Sequence, residues 1–183
     1  MNRTYNEASA VALKSSVLPL NGLGAWAAQV GLIAAAIVLP AIAHLAGLPV
    51  RWLLPMHWPA LLAGMLYGWR GGLIVGLLSP VSNYLITGFP LPPVLPAMTV
   101  EIAIYGFLTG WLRERFGWNG FSATGAAVLA GRAAFVAAVF LTTGYQGAFG
   151  AYLLAAMLPG LAAGVLQVGV MGFVGLHRDK SVG

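Results

Sequence analysis

The chain has 183 residues, of which 60% are hydrophobic and only 7% are charged. A soluble domain is typically about 45–50% apolar and about 25% charged, so this chain has too few charges to cover a surface in water. We therefore expect an integral membrane protein. The net charge of +5 does not indicate nucleic-acid binding, because the basic residues are scattered. The absence of cysteine excludes disulfides and thiol chemistry.

Six apolar segments have about the length that a membrane-spanning helix needs, which is about 20 residues. They predict an all-α membrane protein, a bundle of six transmembrane helices in one domain over residues 22–176. The second and third segments are the shortest, and a single re-entrant hairpin is the alternative for this pair. The continuous apolar runs argue against the alternating strands of a barrel. The segments are Gly22–Leu45, Trp52–Tyr67, Gly71–Thr87, Pro93–Leu112, Phe121–Thr142 and Phe149–Leu176.

The basic residues predict the orientation, because cytoplasmic loops carry an excess of Lys and Arg. Arg51 stands alone on one side of the predicted membrane, against seven basic residues on the other. We therefore expect both termini in the cytoplasm, with an N-terminal segment over residues 1–21 and a tail over residues 177–183. The N-terminal segment lacks the pattern of a cleavable signal peptide. The seven residues are Arg3, Lys14, Arg70, Arg113, Arg115, Arg178 and Lys180.

Two formal charges fall inside the predicted helices, Glu101 in the fourth and Arg132 in the fifth. A charge at mid-membrane costs about 2.5–3.5 kcal/mol even on the lenient insertion scale. The two helices are antiparallel neighbours, and similar depths allow the side chains to meet. The pair is either a structural link between helices or part of a site for a polar solute. An anionic solute is expected only if Glu101 leaves the charge of Arg132 available.

Further polar residues collect toward the same outer half of the predicted bundle. Each alone is typical of helix packing or of the aromatic belt at a membrane interface. Together they predict a binding pocket, since such pockets combine apolar walls with a few placed polar groups. With Glu101 and Arg132, the candidate binding residues are His57, Asn83, Tyr84, Tyr145 and Gln146. The loop Thr87–Pro93 contains three prolines and suits either a fixed wall or a plain tight connection.

Small residues recur at four-residue spacing on three predicted helices, a pattern that allows close helix approach. On the first helix they are Ala27, Gly31 and Ala35. Most such series pack internally, and one that faces outward is a docking surface. The sequence contains no phosphate-binding loop of the G-x-x-x-x-G-K-[ST] type and no H-E-x-x-H zinc motif. We therefore expect no enzymatic activity, no metal and no cofactor.

Four motifs resemble the substrate-binding S component of energy-coupling factor (ECF) transporters, which are prokaryotic vitamin importers. The resemblance is strongest over about residues 50–112, and the six-helix layout extends it. It implies a multi-pass protein of the prokaryotic cytoplasmic membrane that captures a vitamin or similar micronutrient from outside. The motifs are LPMHWPALLAGMLYG at 54–68, GLLSP at 76–80, GFP at 88–90 and PAMTVE at 96–101.

The resemblance also implies partners, because S components use a transmembrane coupling subunit and two cytosolic ATPases. It implies that the small residues of the first helix contact the coupling subunit, and that the loops Arg51–Pro55, Thr87–Pro93 and Thr143–Ala148 close over the substrate. The main alternative is a self-sufficient secondary carrier that uses Glu101 as its proton-coupling carboxylate. A structural or assembly protein that binds no small molecule is a third possibility.

Overall fold

The computed structural model describes residues 17–143 and 149–182, and within these ranges the chain forms only helices, turns and loops. The all-α prediction is therefore confirmed for the described residues. The predicted ends of the first span coincide with the observed helix, and most of the others agree within a few residues. The helices are α1 Gly22–Leu45, α2 Val50–Leu53, α3 His57–Thr87, α4 Leu95–Phe116, α5 Gly120–Thr143 and α6 Phe149–Val182.

Five helical segments in the described part of the chain are long and apolar enough to cross a membrane. They are Gly22–Leu45, Val50–Thr87, Leu95–Phe116, Gly120–Thr142 and Met157–Lys180. The structure therefore supports a multi-pass membrane protein. It does not confirm six complete crossings, and the cytoplasmic placement of both termini stays a prediction.

The second and third predicted spans are the two arms of α3, which breaks at Gly68. This residue has φ 70° and ψ −167°, a conformation that side-chain-bearing residues rarely adopt. The arms, residues 57–67 and 69–87, fold back on each other, because Ala60 and Val75 share one core cluster. In an unbroken helix these two residues would be about 22 Å apart. The first arm has 11 residues, only about 16 Å of helix, against about 30 Å of hydrocarbon.

Glycines allow both arms of α3 to pack directly on the backbone of α4. A Cβ atom on Gly64 or on Gly72 would collide with the carbonyl of Gly106. A Cβ on Gly76 would lie 2.6 Å from the Cα of Ala103. Apolar lipid provides little hydrophobic driving force for helix association. Membrane helices therefore associate through close van der Waals packing, which small residues allow. The two arms and α4 form the centre of the bundle, with α5 and α6 on one side and α1 on the other.

Helix α1 is peripheral and contacts the bundle along a single stripe. Its buried residues are Gln29, Ala36 and Ala43, spaced seven apart and therefore on one face of the helix. The rest of its surface carries exposed apolar side chains, such as Leu23 and Val30. Most of α1 is thus available to lipid or to another protein.

The end of the bundle that is predicted to be cytoplasmic is fixed by a salt bridge between α4 and α6. Arg113 is buried, and one of its terminal nitrogens lies 2.8 Å from a carboxylate oxygen of Asp179. Helix α6 continues through Val182, six residues beyond the predicted end of the sixth span. The apolar stretch of sequence ends at the first charged residues. The helix continues beyond them, where Asp179 pairs with Arg113 of α4.

Replacing Gly106 by Ala is expected to destabilise the protein. The new methyl group would overlap the backbone of Gly72, whose Cα would lie only 2.8 Å away, and main-chain atoms cannot rotate aside. Overpacking of this kind typically costs about 1–3 kcal/mol. We expect a lower midpoint of thermal unfolding for the detergent-solubilised protein.

Gly169→Ala is the matched control on α6, because nothing lies within 4 Å of a Cβ at that position. Its helix propensity should improve, so its midpoint should stay constant or rise. Equal midpoints for the two variants would contradict the close contact between α3 and α4.

Candidate functional site

A buried ion pair joins α4 to α5. The Nε of Arg132 lies 2.9 Å from Oε1 of Glu101, and these residues are 4% and 1% exposed. A buried charge without compensation is strongly destabilising, and loss of one partner of such a pair costs about 3–5 kcal/mol. The two charges predicted to meet are therefore in contact.

His57 and Tyr105 complete this cluster. The Nε2 of His57 lies 3.4 Å from Oε2 of Glu101, so each carboxylate oxygen faces a different neighbour. The hydroxyl of Tyr105 accepts a hydrogen bond from Nε of Arg132 at 3.3 Å. The rings of His57 and Tyr105 meet edge to face, with centroids 5.1 Å apart. Three helices, α3, α4 and α5, thus meet at one carboxylate.

Two glycines make room for the cluster. A Cβ on Gly131 would collide with the ring of Tyr105, and one on Gly160 would collide with the guanidinium of Arg132. Gly131 lies next to Arg132 on α5, whereas Gly160 follows Pro159 on α6. The guanidinium is therefore held between α4 and a side-chain-free patch of α6.

Glu101 and Arg132 line a cavity of about 440 Å³, here called the main cavity. Its volume lies in the range of about 300–1,000 Å³ that is typical of small-molecule sites. Its lining includes exposed residues, such as Arg51 and Pro93, as well as the buried ion pair. The remaining described lining is mostly apolar, and the described residues that line the cavity are Arg51, Leu54, Pro93, Val94, Met98, Glu101, Arg132, Phe135, Val139, Ala155, Pro159 and Gly160.

A second cavity of about 200 Å³, here called the side cavity, lies next to the first. His57 lines it, together with Pro40 and His44 of α1. Arg51, Leu54 and Met98 line both cavities. The contact between His57 and Glu101 therefore connects the walls of the two spaces.

The loop between α3 and α4 forms part of both walls. Phe89 and Pro90 line the side cavity, whereas Pro93 and Val94 line the main one. Asn83 holds this loop, because its Nδ2 donates a hydrogen bond to the carbonyl of Phe89 at 2.8 Å. The proline-rich segment is therefore a wall as well as a connection.

The remaining predicted binding residues have different positions. Asn83 is buried and lines the side cavity but not the main one. Tyr84 is half-buried and lines neither cavity, because adjacent helical residues point about 100° apart. Tyr145 and Gln146 lie outside the described residues. The structure thus brings together His57, Glu101 and Arg132, with Asn83 beside them.

The predicted docking residues on α1 lie on its free surface. Ala27 and Gly31 are exposed and Ala35 is half-buried, and nothing lies within 4 Å of a Cβ at Gly31. Ala27 and Gly31 therefore lie on the side of α1 away from its buried stripe, whereas Ala35 lies at the edge of that stripe. On α6, Gly160 and Gly164 instead face side chains of α5.

Sequence reasoning did not single out Tyr105 or Arg51 as site residues. Tyr105 lies four residues after Glu101, so the two share a helix face, and this spacing was the available signal. Arg51 served to predict orientation, and the resemblance placed it in the loop Arg51–Pro55 that is expected to close over the substrate, but it was not predicted as an individual binding residue. Arg51 lines both cavities because of the position of α2. A helix of four residues is too short for a hydrophobic periodicity that would predict this position.

A family model described as the ECF transporter substrate-specific component matches residues 30–176. No curated protein and no solved structure gives a match. The matched range covers α2, α3, α4 and α5 completely, with most of α1 and α6, and includes every described member of the buried cluster. The chain therefore belongs to the family of substrate-specific components of ECF transporters, which are membrane-embedded transporter subunits.

Proposed function

We propose that this protein captures a vitamin or similar micronutrient in the main cavity and delivers it for ATP-driven uptake by partner subunits. The observation that carries the proposal is the Glu101–Arg132 pair, 2.9 Å apart, in the wall of a mostly apolar cavity. Small-molecule sites usually have mostly apolar walls and a few polar groups at defined positions. By the predicted orientation, this cavity opens outside the prokaryotic cytoplasmic membrane.

The proposed partners are a transmembrane coupling subunit and two cytosolic ATPases. Membership in the family of substrate-specific components supports the proposal of partner subunits. The sequence itself contains no phosphate-binding loop of the G-x-x-x-x-G-K-[ST] type. We place the contact with the coupling subunit on Ala27, Gly31 and Ala35, because the first two are exposed on α1 and the third is half-buried beside them. Neighbouring small residues let another helix approach closely.

Substituting Arg132 by Ala is expected to weaken substrate binding by more than it weakens the fold. The change removes a polar group from the cavity wall and leaves Glu101 without its guanidinium partner. Mass spectrometry of the small molecule that co-purifies with the wild-type protein identifies the ligand. Its affinity for both proteins is then compared with their midpoints of thermal unfolding.

The double variant Glu101→Gln/Arg132→Gln separates binding from stability, because it removes both charges and leaves no unpaired buried charge. We expect it to fold and to lose the ligand. A folded double variant that binds the ligand with wild-type affinity would show that the ion pair is structural only.

Gly160→Ala tests the position of the guanidinium without altering any charge. The added methyl group would occupy the space of the Arg132 side chain and push it from its place beside Glu101. Because a displacement of about 1 Å or less is sufficient to misplace a binding group, we expect at least a tenfold loss of affinity. Gly169→Ala on the same helix has open space around it and should retain wild-type affinity.

Ala27→Leu tests the docking surface on α1. Position 27 is exposed in the isolated chain, so ligand affinity and thermal midpoint should remain close to wild type. The yield of complex with co-expressed coupling and ATPase subunits should fall several-fold, because a larger side chain prevents close helix approach.

Ala133→Leu makes the same change at an exposed position of α5 and should not alter the yield of the complex. If both variants assembled as well as wild type, the docking surface would lie elsewhere.

The alternative of a self-sufficient carrier makes a different prediction for the protein alone in liposomes. A proton-coupled carrier would accumulate the ligand in response to a proton gradient, whereas a binding subunit binds it without accumulation. The contacts of Glu101 with Arg132 and His57 support the binding role, because both carboxylate oxygens already face partners within the protein. Accumulation by the isolated chain would overturn the proposal.

A further inference from the structure

We infer that the main cavity selects a small molecule with one negative charge, such as a carboxylate, on an apolar body, and that Arg51 binds this charge. The inference rests on the proposed function, since it names the substrate class of the same site. It starts from the charges in the cavity wall. The charged residues that line it are the cationic Arg51 and Arg132 and the anionic Glu101, which leaves one positive charge in excess.

The excess charge does not reside on Arg132. Its Nε faces Glu101 at 2.9 Å and donates to Tyr105 at 3.3 Å. Because Glu101 pairs with it, Arg132 alone does not predict an anionic ligand. The carboxylate in turn faces Arg132 and His57 with its two oxygens, so no excess negative charge remains for a cationic ligand.

Arg51 has neither a hydrogen bond nor a carboxylate within 4 Å in the described ranges 17–143 and 149–182. The connection at residues 144–148, next to the cavity end of α5, contains no Asp, Glu, Lys or Arg. The other acidic side chains of the described residues, Glu114 and Asp179, lie at the opposite end of the bundle. Among the described residues the guanidinium of Arg51 therefore has no partner, and it can pair with a bound anion.

The backbone around Arg51 is held in place although the side chain is exposed. The indole of Trp58 donates a hydrogen bond to the carbonyl of Leu53 at 2.8 Å, which ties α2 to the first arm of α3. Leu54 has φ 45°, a left-handed conformation that turns the chain sharply from α2 toward His57. Helix α2 also packs against α6. Arg51 therefore projects from a fixed segment at the mouth of the cavity.

The rest of the wall defines the ligand body. Phe135, Met98 and Pro159 contribute apolar surface, whereas Glu101 and Arg132, the other charged residues among the described lining, already pair with each other. A molecule with a second charge would have to place it against apolar side chains, where an unpaired charge is costly. A monoanion with an apolar body, small enough for about 440 Å³, satisfies both constraints.

The test uses the full-length protein in detergent, dialysed against the small-molecule filtrate of yeast extract, with retained compounds identified by mass spectrometry. The variants are Arg51→Gln, which removes the charge, and Arg51→Lys, which keeps it. Arg70→Gln is the control, because Arg70 is exposed and lies over Trp69, beside the break of α3 at Gly68 and away from both cavities. The methyl ester of the retained acid is the matched neutral ligand.

We expect the wild type to retain a monoanion and to bind its methyl ester about ten- to a hundredfold more weakly, the range that a hydrogen bond to a charged group contributes. Arg51→Gln should lose affinity for the acid by the same factor but not for the ester. Arg51→Lys should keep much of the affinity, and Arg70→Gln should keep all of it.

A retained neutral or cationic compound, or an unchanged affinity of Arg51→Gln for a retained acid, would overturn this inference and leave the proposed binding function intact. If the wild-type protein retained no compound at all, the result would contradict the binding function itself, and the inference with it.

Discussion

The burial of one carboxylate determines the arrangement of the bundle centre. Glu101 lies among apolar helices, where an uncompensated charge is strongly unfavourable, so Arg132 and His57 must both stay beside it. These partners come from α5 and from the first arm of α3, and Tyr105 adds a contact from α4 itself. The polar cluster therefore fixes three helices relative to one another and at the same time forms the floor of a cavity.

This arrangement depends on close backbone packing elsewhere. His57 reaches Glu101 because the first arm of α3 lies directly on α4, through the contact of Gly64 with Gly106. The break at Gly68 returns the chain so that both arms use the same helix as their platform. Gly160 has a similar role on α6, since the absence of a side chain there leaves space for the guanidinium of Arg132. The contacts of the buried charges therefore depend on glycines at these positions in the neighbouring helices.

The sequence was sufficient to predict the helices and the central pair because hydropathy and intramembrane charge are strong signals. It was less informative where a side-chain direction depends on tertiary packing. Asn83 and Tyr84 were predicted together, but successive helical residues point in different directions, and only Asn83 lines a cavity. Arg51 lies on a four-residue helix whose position is set by the Trp58 hydrogen bond and the turn at Leu54, which no local pattern reveals. The end of α6 was placed too early because hydropathy does not register the partner of Asp179.

The two cavities also connect the peripheral helix with the central charge cluster. Helix α1 contributes Pro40 and His44 to the side cavity, and His57 lines that same cavity while it contacts Glu101. The imidazole therefore stands between the helix on which we place the partner contact and the carboxylate in the wall of the main cavity. Because α1 is held to the bundle along one narrow stripe, its position is less constrained than that of α4 or α5. A shift of α1 would therefore alter the wall of the side cavity, in which His57 contacts Glu101.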